Sequence, residues 1–372
     1  MNRLSRATGI ASSACSPACA LAGEWLLHSG IQEPYGGLAR YHRISEARNA
    51  RVSTEITGYG VSAYLELHER SADPRYLEAA RRAGDFLCRA WDERSEAMPF
   101  EWVPDGEPPE QLSCFFDNGI IARALLRLWR ATGEPRYRRT AELCAESMER
   151  DFVNSHDIHP VLALPSKHPL PRDGRWSRSS GCYQLKSALA WLEVAAAGGE
   201  QRLNALFDRA CEFALGTHSS FLDAAPDDRA RMDRLHAYCY FLEALLWRGD
   251  QSRAREALAE GIARAGAELR RIRPVFERSD VNAQLLRVRL WAHHLGLAPL
   301  DEAAAAEEAR RVASFQMTGA DARLRGGYNF GALTGEPSDY ANPVSTAFCL
   351  QALAMWDEFR SGGLKTPVDR LI

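Results

Sequence analysis

Four acids and one imidazole stand at places in this chain where such side chains can move protons. Asp117 opens an apolar helical stretch in "CFFDNG", Glu55 falls in "STEITGYG", Asp280 in "RSDVNAQ", and Asp233 with His236 in "RMDRLHAYCY". Asp233, His236 and Tyr240 are spaced i, i+3 and i+7, which puts an acid, an imidazole and a phenol on one helix face. Glycoside cleavage needs a carboxylic acid to protonate the leaving oxygen and a second carboxylate to activate water or attack carbon. His236 with Tyr240 or Tyr59 is instead a pair able to shuttle a proton beside a carbonyl or carboxylate. Each acid taken alone has a second reading, because Asp, Asn and Ser near helix starts are favoured caps worth about 1 kcal/mol and acids there complement the helix dipole.

The elements that must position these groups are helices. Apolar residues recur with helical period over 17 to 30, 54 to 69, 74 to 91, 116 to 132, 135 to 151, 182 to 196, 200 to 215, 232 to 248, 251 to 272, 279 to 295, 301 to 316 and 344 to 360. No alternating Val, Ile or Thr run exceeds a few residues, so the fold is expected to be all-α. An internal repeat pairs the helices: "HERSADPRYLEAARRAGDFL" from His68 and "WRATGEPRYRRTAELCAESM" from Trp129 both place Pro-Arg-Tyr after a turn. Pro74 and Pro135 fit the first position of a helix, where the missing N–H costs nothing. Short turns near 70, 133, 198, 250 and 298 alternate with long connections at 31 to 53, 92 to 115, 152 to 181, 216 to 231 and 317 to 343. Short loops therefore gather at one end of the array and long ones at the other, and long loops in a compact domain usually carry function.

On this alternation and on phrases such as "TGEPRYRRTAE", the chain resembles the six-hairpin, (α/α)6-barrel carbohydrate-active proteins. These include unsaturated glucuronyl hydrolases, N-acylglucosamine 2-epimerases and the helical domain of glucuronyl C5-epimerases. The resemblance implies a single (α/α)6 barrel over 1–372, with 1–15 a flexible extension, and a funnel lined by the N-termini of six inner helices. Those first turns would contribute Glu55 with Tyr59, Asp117 with Asn118, Gln184 with Lys186, Asp233 with His236 and Tyr240, Asp280 with Asn282, and Ser345 with Thr346. In the glucuronyl hydrolases an Asp at an inner-helix start serves as acid and base. The resemblance thus makes Asp117 the expected general acid/base, with Asp233 and Asp280 as second carboxylates and His236 beside them. The 2-epimerases use two inner-helix histidines, and only His236 stands at such a place here. A hydrolase is accordingly set ahead of an epimerase or lyase, and a non-catalytic glycan-binding or scaffold toroid is the remaining alternative.

The long loops supply sugar-binding chemistry. Trp102, Trp176 and Tyr328, with Tyr35, Tyr41 and Tyr340, can stack on the C–H faces of sugar rings or simply pack the loops onto the barrel. Arg178, with Arg40, Arg43, Arg172, Arg175, Lys167 and His168, could clamp a uronate carboxylate. An oligosaccharide or glycoconjugate is the expected partner.

Other classes fall away. A net charge of −3 leaves no electrostatic footprint for nucleic acid. Charges interrupt every apolar segment before the roughly 18 residues of a membrane span. The nine cysteines sit mostly inside apolar helical patterns, as reduced thiols do, and the first residues lack the compact apolar core of an export signal, so a cytoplasmic protein is expected. P-loop and GxSxG motifs are absent and no cofactor is expected. Cys114, Cys182, His236 and Cys239 lack metal-ligand spacing, and no metal site is expected.

Overall fold

A computed structural model describes residues 16–102 and 111–372; the expected flexible extension 1–15 lies outside the described residues. Twelve α-helices are described: α1 (Pro17–His28), α2 (Thr54–Ser71), α3 (Pro74–Ala90), α4 (Phe115–Thr132), α5 (Pro135–Ser147), α6 (Leu185–Ala196), α7 (Arg202–Phe221), α8 (Asp228–Leu245), α9 (Ser252–Ile272), α10 (Ser279–His294), α11 (Glu302–Ser314) and α12 (Pro343–Arg360). The Pro-Arg-Tyr repeat works as the spacing predicts. Pro74 and Pro135 are first residues of α3 and α5, and the turns before them close on Ala72 and Gly133, both left-handed, at φ 56° and 75°.

The even-numbered helices pack in sequence order and α12 returns against α2, so they form a closed ring; each odd-numbered helix backs one of them, with α1 completing the hairpin of α12. The fold is an (α/α)6 barrel. Burial follows from this arrangement. Inner helices such as α4 and α10 are buried almost all round, whereas outer helices such as α3 and α9 bury one stripe and turn a charged face to water. Gly119, the residue after Asp117 and Asn118, shows how tightly the ring is drawn: a Cβ there would lie 2.4 Å from the Ser187 carbonyl oxygen of α6. Residues 361–372 fold across the short-loop end, where Arg70 joins Glu66 and Glu358 at 2.8 Å each and Gln351 bonds the backbone of Arg370 and Ile372.

The long-loop end is built from two- and three-residue strands: β1 (Leu38–Ala39), β2 (His42–Arg43), β3 (Arg48–Asn49), β4 (Val52–Ser53), β5 (Glu101–Trp102), β6 (Leu112–Cys114), β7 (Val161–Ala163), β8 (Phe276–Arg278), β9 (Gly331–Leu333), β10 (Glu336–Pro337) and β11 (Tyr340–Ala341). They pair antiparallel as β1-β4-β5, β11-β2-β3, β6-β7 and β10-β9-β8. Strands β4, β6 and β8 run straight into α2, α4 and α10. Each ladder thereby fixes where an inner helix begins and where the acid of its first turn points.

Candidate active site

Asp117 does not cap its helix. Cys114 holds the N-cap position of α4 with no side-chain cap bond, and Asp117 is 6% exposed with Oδ2 lacking any hydrogen-bond partner. Glu55 is likewise free of capping duty, because Ser53 caps α2 by accepting from the Ile56 N–H at 3.4 Å. Glu55 forms no hydrogen bond or ion pair among the described residues. Burial pushes the Asp117 carboxyl well above the ordinary aspartate range, the Glu55 charge pushes it further, and Arg40 and the Cys114 thiol only partly oppose this. Burial likewise raises Glu55 to about 7, again against a weaker pull from Arg40. Both carboxyls are thus raised in the same direction, burial being the first cause in each case and mutual repulsion adding to it at Asp117.

Aromatic rings cluster on the inner helices around the barrel axis. Phe116 of α4 meets Tyr240 of α8 with ring centroids 4.7 Å apart, and Tyr240 meets His236 at the same separation. Phe348 of α12 packs edge-on against Tyr59 at 5.2 Å. Trp176, from the long loop before α6, covers Tyr183 at 5.1 Å and His236 at 6.3 Å. Glu55 acts electrostatically on both Tyr59 and Tyr240, whose phenols are raised first by burial, so acid pair and phenols share one space. Arg178, half-buried beside Trp176, has no ion pair among the described residues, and its charge acts on Cys114.

Arg278 organises the other side of the funnel. Its Nε and one Nη donate to the two oxygens of Asp280 at 3.0 and 2.7 Å, and its other Nη donates to Asp233 at 2.8 Å. Burial alone would raise Asp280, but Arg278 and then His236 outweigh it and hold the carboxyl below the ordinary range. His236 places Nδ1 2.8 Å from Gln284 Oε1 and 3.5 Å from Asp280 Oδ2. Acceptors on both sides put the proton on Nδ1 and leave Nε2 as a lone pair. Burial, with Arg278 adding to it, drives the imidazole down to about 4, so it is neutral at pH 7.

The structure therefore divides the expected site residues. Asp117, Glu55, Tyr59, Tyr240, His236 and Trp176 share the funnel, and Asp280 and Asp233 stand at its edge engaged by Arg278. Asp233 departs from its expected place: Asp227 caps α8 by accepting from Ala230, so the helix starts earlier and Asp233 lies in its second turn, 39% exposed. Gln184 belongs to a 3₁₀ turn ahead of α6 and is spent on the backbone, accepting from Gly181 N–H at 3.0 Å and donating to Ile158 at 3.1 Å. Lys186 points into the barrel instead of the funnel mouth. It is 1% exposed and paired with Glu243 at 2.9 Å, which Arg287 also meets at 2.7 Å. Asn118 and Asn282 make one motif twice, each amide donating at 2.9 Å to the N-cap carbonyl four residues back and at 3.2 or 3.0 Å to the side chain of Ser113 or Glu277. Those four positions, expected to line the funnel as substrate contacts from the helix starts, are corrected to side chains engaged by the scaffold. Tyr328 is fully buried with an unpartnered hydroxyl, and Trp102 packs on Phe86 of outer helix α3 at 5.9 Å, so loop packing explains both.

Two functional side chains escaped the sequence reading in these roles. Arg40 is the cation whose charge acts on both Glu55 and Asp117, and Arg278 is the hub opposite. Arg278 did leave a signal: a base at the N-cap of a helix opposes the dipole and calls for an acid beside it. Among the described residues no three His, Cys, Asp or Glu side chains gather as metal ligands.

Comparison with known proteins agrees with this architecture. No protein-family model matches the chain. A stretch of 122 residues is 30% identical to N-acylglucosamine 2-epimerase of Bos taurus, covering 32% of this chain and 29% of that protein, so the match spans under a third of the curated relative's length. Among solved structures, a sugar epimerase from a ruminal bacterium superposes with a TM-score of 0.66 at 14% identity, over 89% of this chain and 97% of that one. A family 76 glycoside hydrolase from a bovine Bacteroides thetaiotaomicron strain superposes with a TM-score of 0.61 at 12% identity, over 91% and 78%. The chain shares the (α/α)6-barrel fold of these solved structures. No helix among the described residues is long and apolar enough to cross a membrane.

Proposed function

We propose that the protein is a carbohydrate-active enzyme in which Asp117 and Glu55 form the catalytic acid and base, most simply for hydrolysis of a glycosidic bond in a uronate-containing or related oligosaccharide. The observation that carries this reading is the pair itself: two carboxyls on neighbouring inner helices, Asp117 buried and Glu55 partly buried, free of capping and ion pairing and both raised above the ordinary range. A protonated carboxyl can donate to a leaving oxygen while its ionised partner activates water or attacks the anomeric carbon. The aromatic wall gives sugar C–H faces a surface to lie on and keeps water from screening the charges. The second carboxylate in this scheme is Glu55, and Asp280 and Asp233 serve the opposite wall through Arg278.

A second reading, sugar epimerisation, is favoured by a separate observation. His236 is neutral, with Nδ1 anchored and the Nε2 lone pair left over, which suits abstraction of a carbon-bound proton. The similarity to the bovine 2-epimerase and to the ruminal sugar epimerase fold supports the same choice. Incubating the protein with saturated and unsaturated uronate oligosaccharides in deuterated water, with products read by mass spectrometry, separates the two. Gain of one water, lost in Asp117→Asn, is the hydrolase result. Deuterium at carbon without cleavage, lost in His236→Asn, is the epimerase result and overturns the first reading.

A further inference from the structure

The rim beside the acid pair holds a basic groove that the proposed chemistry does not use. The β2–β3 hairpin and its flanks enclose about 360 Å3 lined by Arg40, Tyr41, Arg43, Arg48, Asn49 and Arg51, with Glu101 the one acid among the lining residues. Four guanidinium groups so close repel each other, and the fold restrains them from two points. Glu101, its side chain 14% exposed, meets Arg40 at 2.7 Å and Arg51 at 3.3 Å, and Glu46 pairs with Arg43 and with Arg48. Each of these contacts engages one guanidinium nitrogen. Arg40, Arg48 and Arg51 make no other side-chain hydrogen bond among the described residues, so most of their donors are unspent.

The neighbouring acids are committed elsewhere. Asp339 binds the backbone and hydroxyl of Ser45 at 2.8 and 2.6 Å, and Glu33 accepts from the Asn49 amide at 3.0 Å. Tyr41 is braced edge-on by Tyr340 at 4.7 Å, giving the groove a fixed aromatic ring. Arg40 belongs to both places, since it lines the groove while its charge acts on Glu55 and Asp117.

We propose that this groove is a subsite for the acidic group, carboxylate or sulfate, of a sugar unit adjoining the one held at Glu55 and Asp117, which makes the substrate an anionic glycan. The proposal rests on the carbohydrate reading of the funnel. Pre-positioned arginines with free donors recognise a planar or tetrahedral oxyanion through charge-assisted hydrogen bonds, and an adjacent tyrosine and asparagine suit the ring and hydroxyls that carry it.

The test is calorimetric binding to the full chain carrying Asp117→Asn, so that no turnover occurs. The probes are a uronate oligosaccharide, its methyl ester and a sulfated neutral oligosaccharide, each measured with and without Arg48→Ala plus Arg51→Ala, with melting curves to confirm that the variants fold. At least one charged probe should bind about tenfold more tightly than the ester, as one lost charge-assisted contact implies. The double substitution should remove that advantage and leave ester binding as it was, and added salt should weaken only the charged probes. Preference between uronate and sulfate names the acidic group. Equal binding of acid and ester, equal weakening of both by the substitutions, or no binding of any probe overturns the subsite. Binding of a charged probe that wild-type protein neither cleaves nor epimerises sinks the catalytic reading and leaves the subsite standing. Turnover of a neutral glycan regardless of Arg48 and Arg51 does the reverse.

Discussion

Two sets of acids occupy nearly the same place on their helices at opposite sides of the funnel, under opposite electrostatics. Asp280 is the second residue of α10, Glu55 the second of α2 and Asp117 the third of α4. What differs is the residue at the N-cap: Arg278 before Asp280, but Ser53 and Cys114 before Glu55 and Asp117. The guanidinium holds the Asp280 carboxyl below the ordinary range despite burial, whereas the other two acids have only a weaker pull from Arg40 and are raised above it. An acid at an inner-helix start is therefore not a single kind of group. A cation beside it makes it part of the wall, and the lack of one makes it an acid able to give up a proton.

The contrast is tested hardest by removing each side in turn. Asp117→Asn should lower kcat by about 10²- to 10⁴-fold, the usual worth of a general acid, without lowering the melting temperature, because the native carboxyl has an unpartnered buried oxygen. A variant that keeps its activity would move the chemistry elsewhere. On the other wall, Arg278→Ala strands Asp280 as a buried unpaired carboxylate and should cost about 3–5 kcal/mol in urea unfolding. Adding Asp280→Asn should recover much of that loss, and a double variant no better than the single would mean that the ion pair is not what Arg278 contributes. Gly119→Ala tests the frame that carries Asp117. With its Cβ against the Ser187 backbone it should destabilise by about 1–3 kcal/mol, and a neutral result would show that α4 and α6 are more loosely joined.

The smallest effect is a pH slope. Glu55 titrates near 7 in the folded protein against an ordinary 4.5, so between those values the folded state binds more protons than the unfolded one. Its contribution is fully present below about 4.5 and is lost as pH rises through about 7. His236, lowered from 6.5 to about 4, has the opposite slope and loses its contribution as pH falls through about 4. Glu55→Gln should therefore raise the melting temperature at pH 8 relative to pH 5 when each is compared with wild type. An unchanged difference would mean that Glu55 is ionised in both states.

Periodicity and turn chemistry made the barrel readable. Pro74, Pro135 and the alternation of short and long loops act locally, so they mark helix starts and the two ends of the array before any tertiary contact is known. Site membership was only partly readable, because it depends on which neighbour satisfies a side chain. Gln184, Asn118 and Asn282 look like funnel residues by position; Gln184 is taken by the Ile158 carbonyl, 26 residues away, and the two asparagines turn back onto the N-cap carbonyls of their own helices, a choice of rotamer that position alone does not decide. Lys186 is taken by Glu243, more than fifty residues away on α8. The start of α8 lies ahead of its expected place because "SSFLDAAPDD" has the composition of a loop, while α7 extends to Phe221 and Asp227 caps the next helix.

The central claim is that Asp117 and Glu55 are both raised above the ordinary carboxyl range and titrate as a pair, and it can be tested without knowing the substrate. Carboxyl carbon-13 resonances of protein labelled at Asp and Glu, followed from pH 3 to pH 9 in wild type and in Asp117→Asn and Glu55→Gln, report the titration directly. The structure predicts two coupled steps, the upper one near or above 7, with the remaining carboxyl shifting downward once its partner is made neutral. Two carboxyls that both ionise below pH 5, each indifferent to the other's substitution, would contradict it.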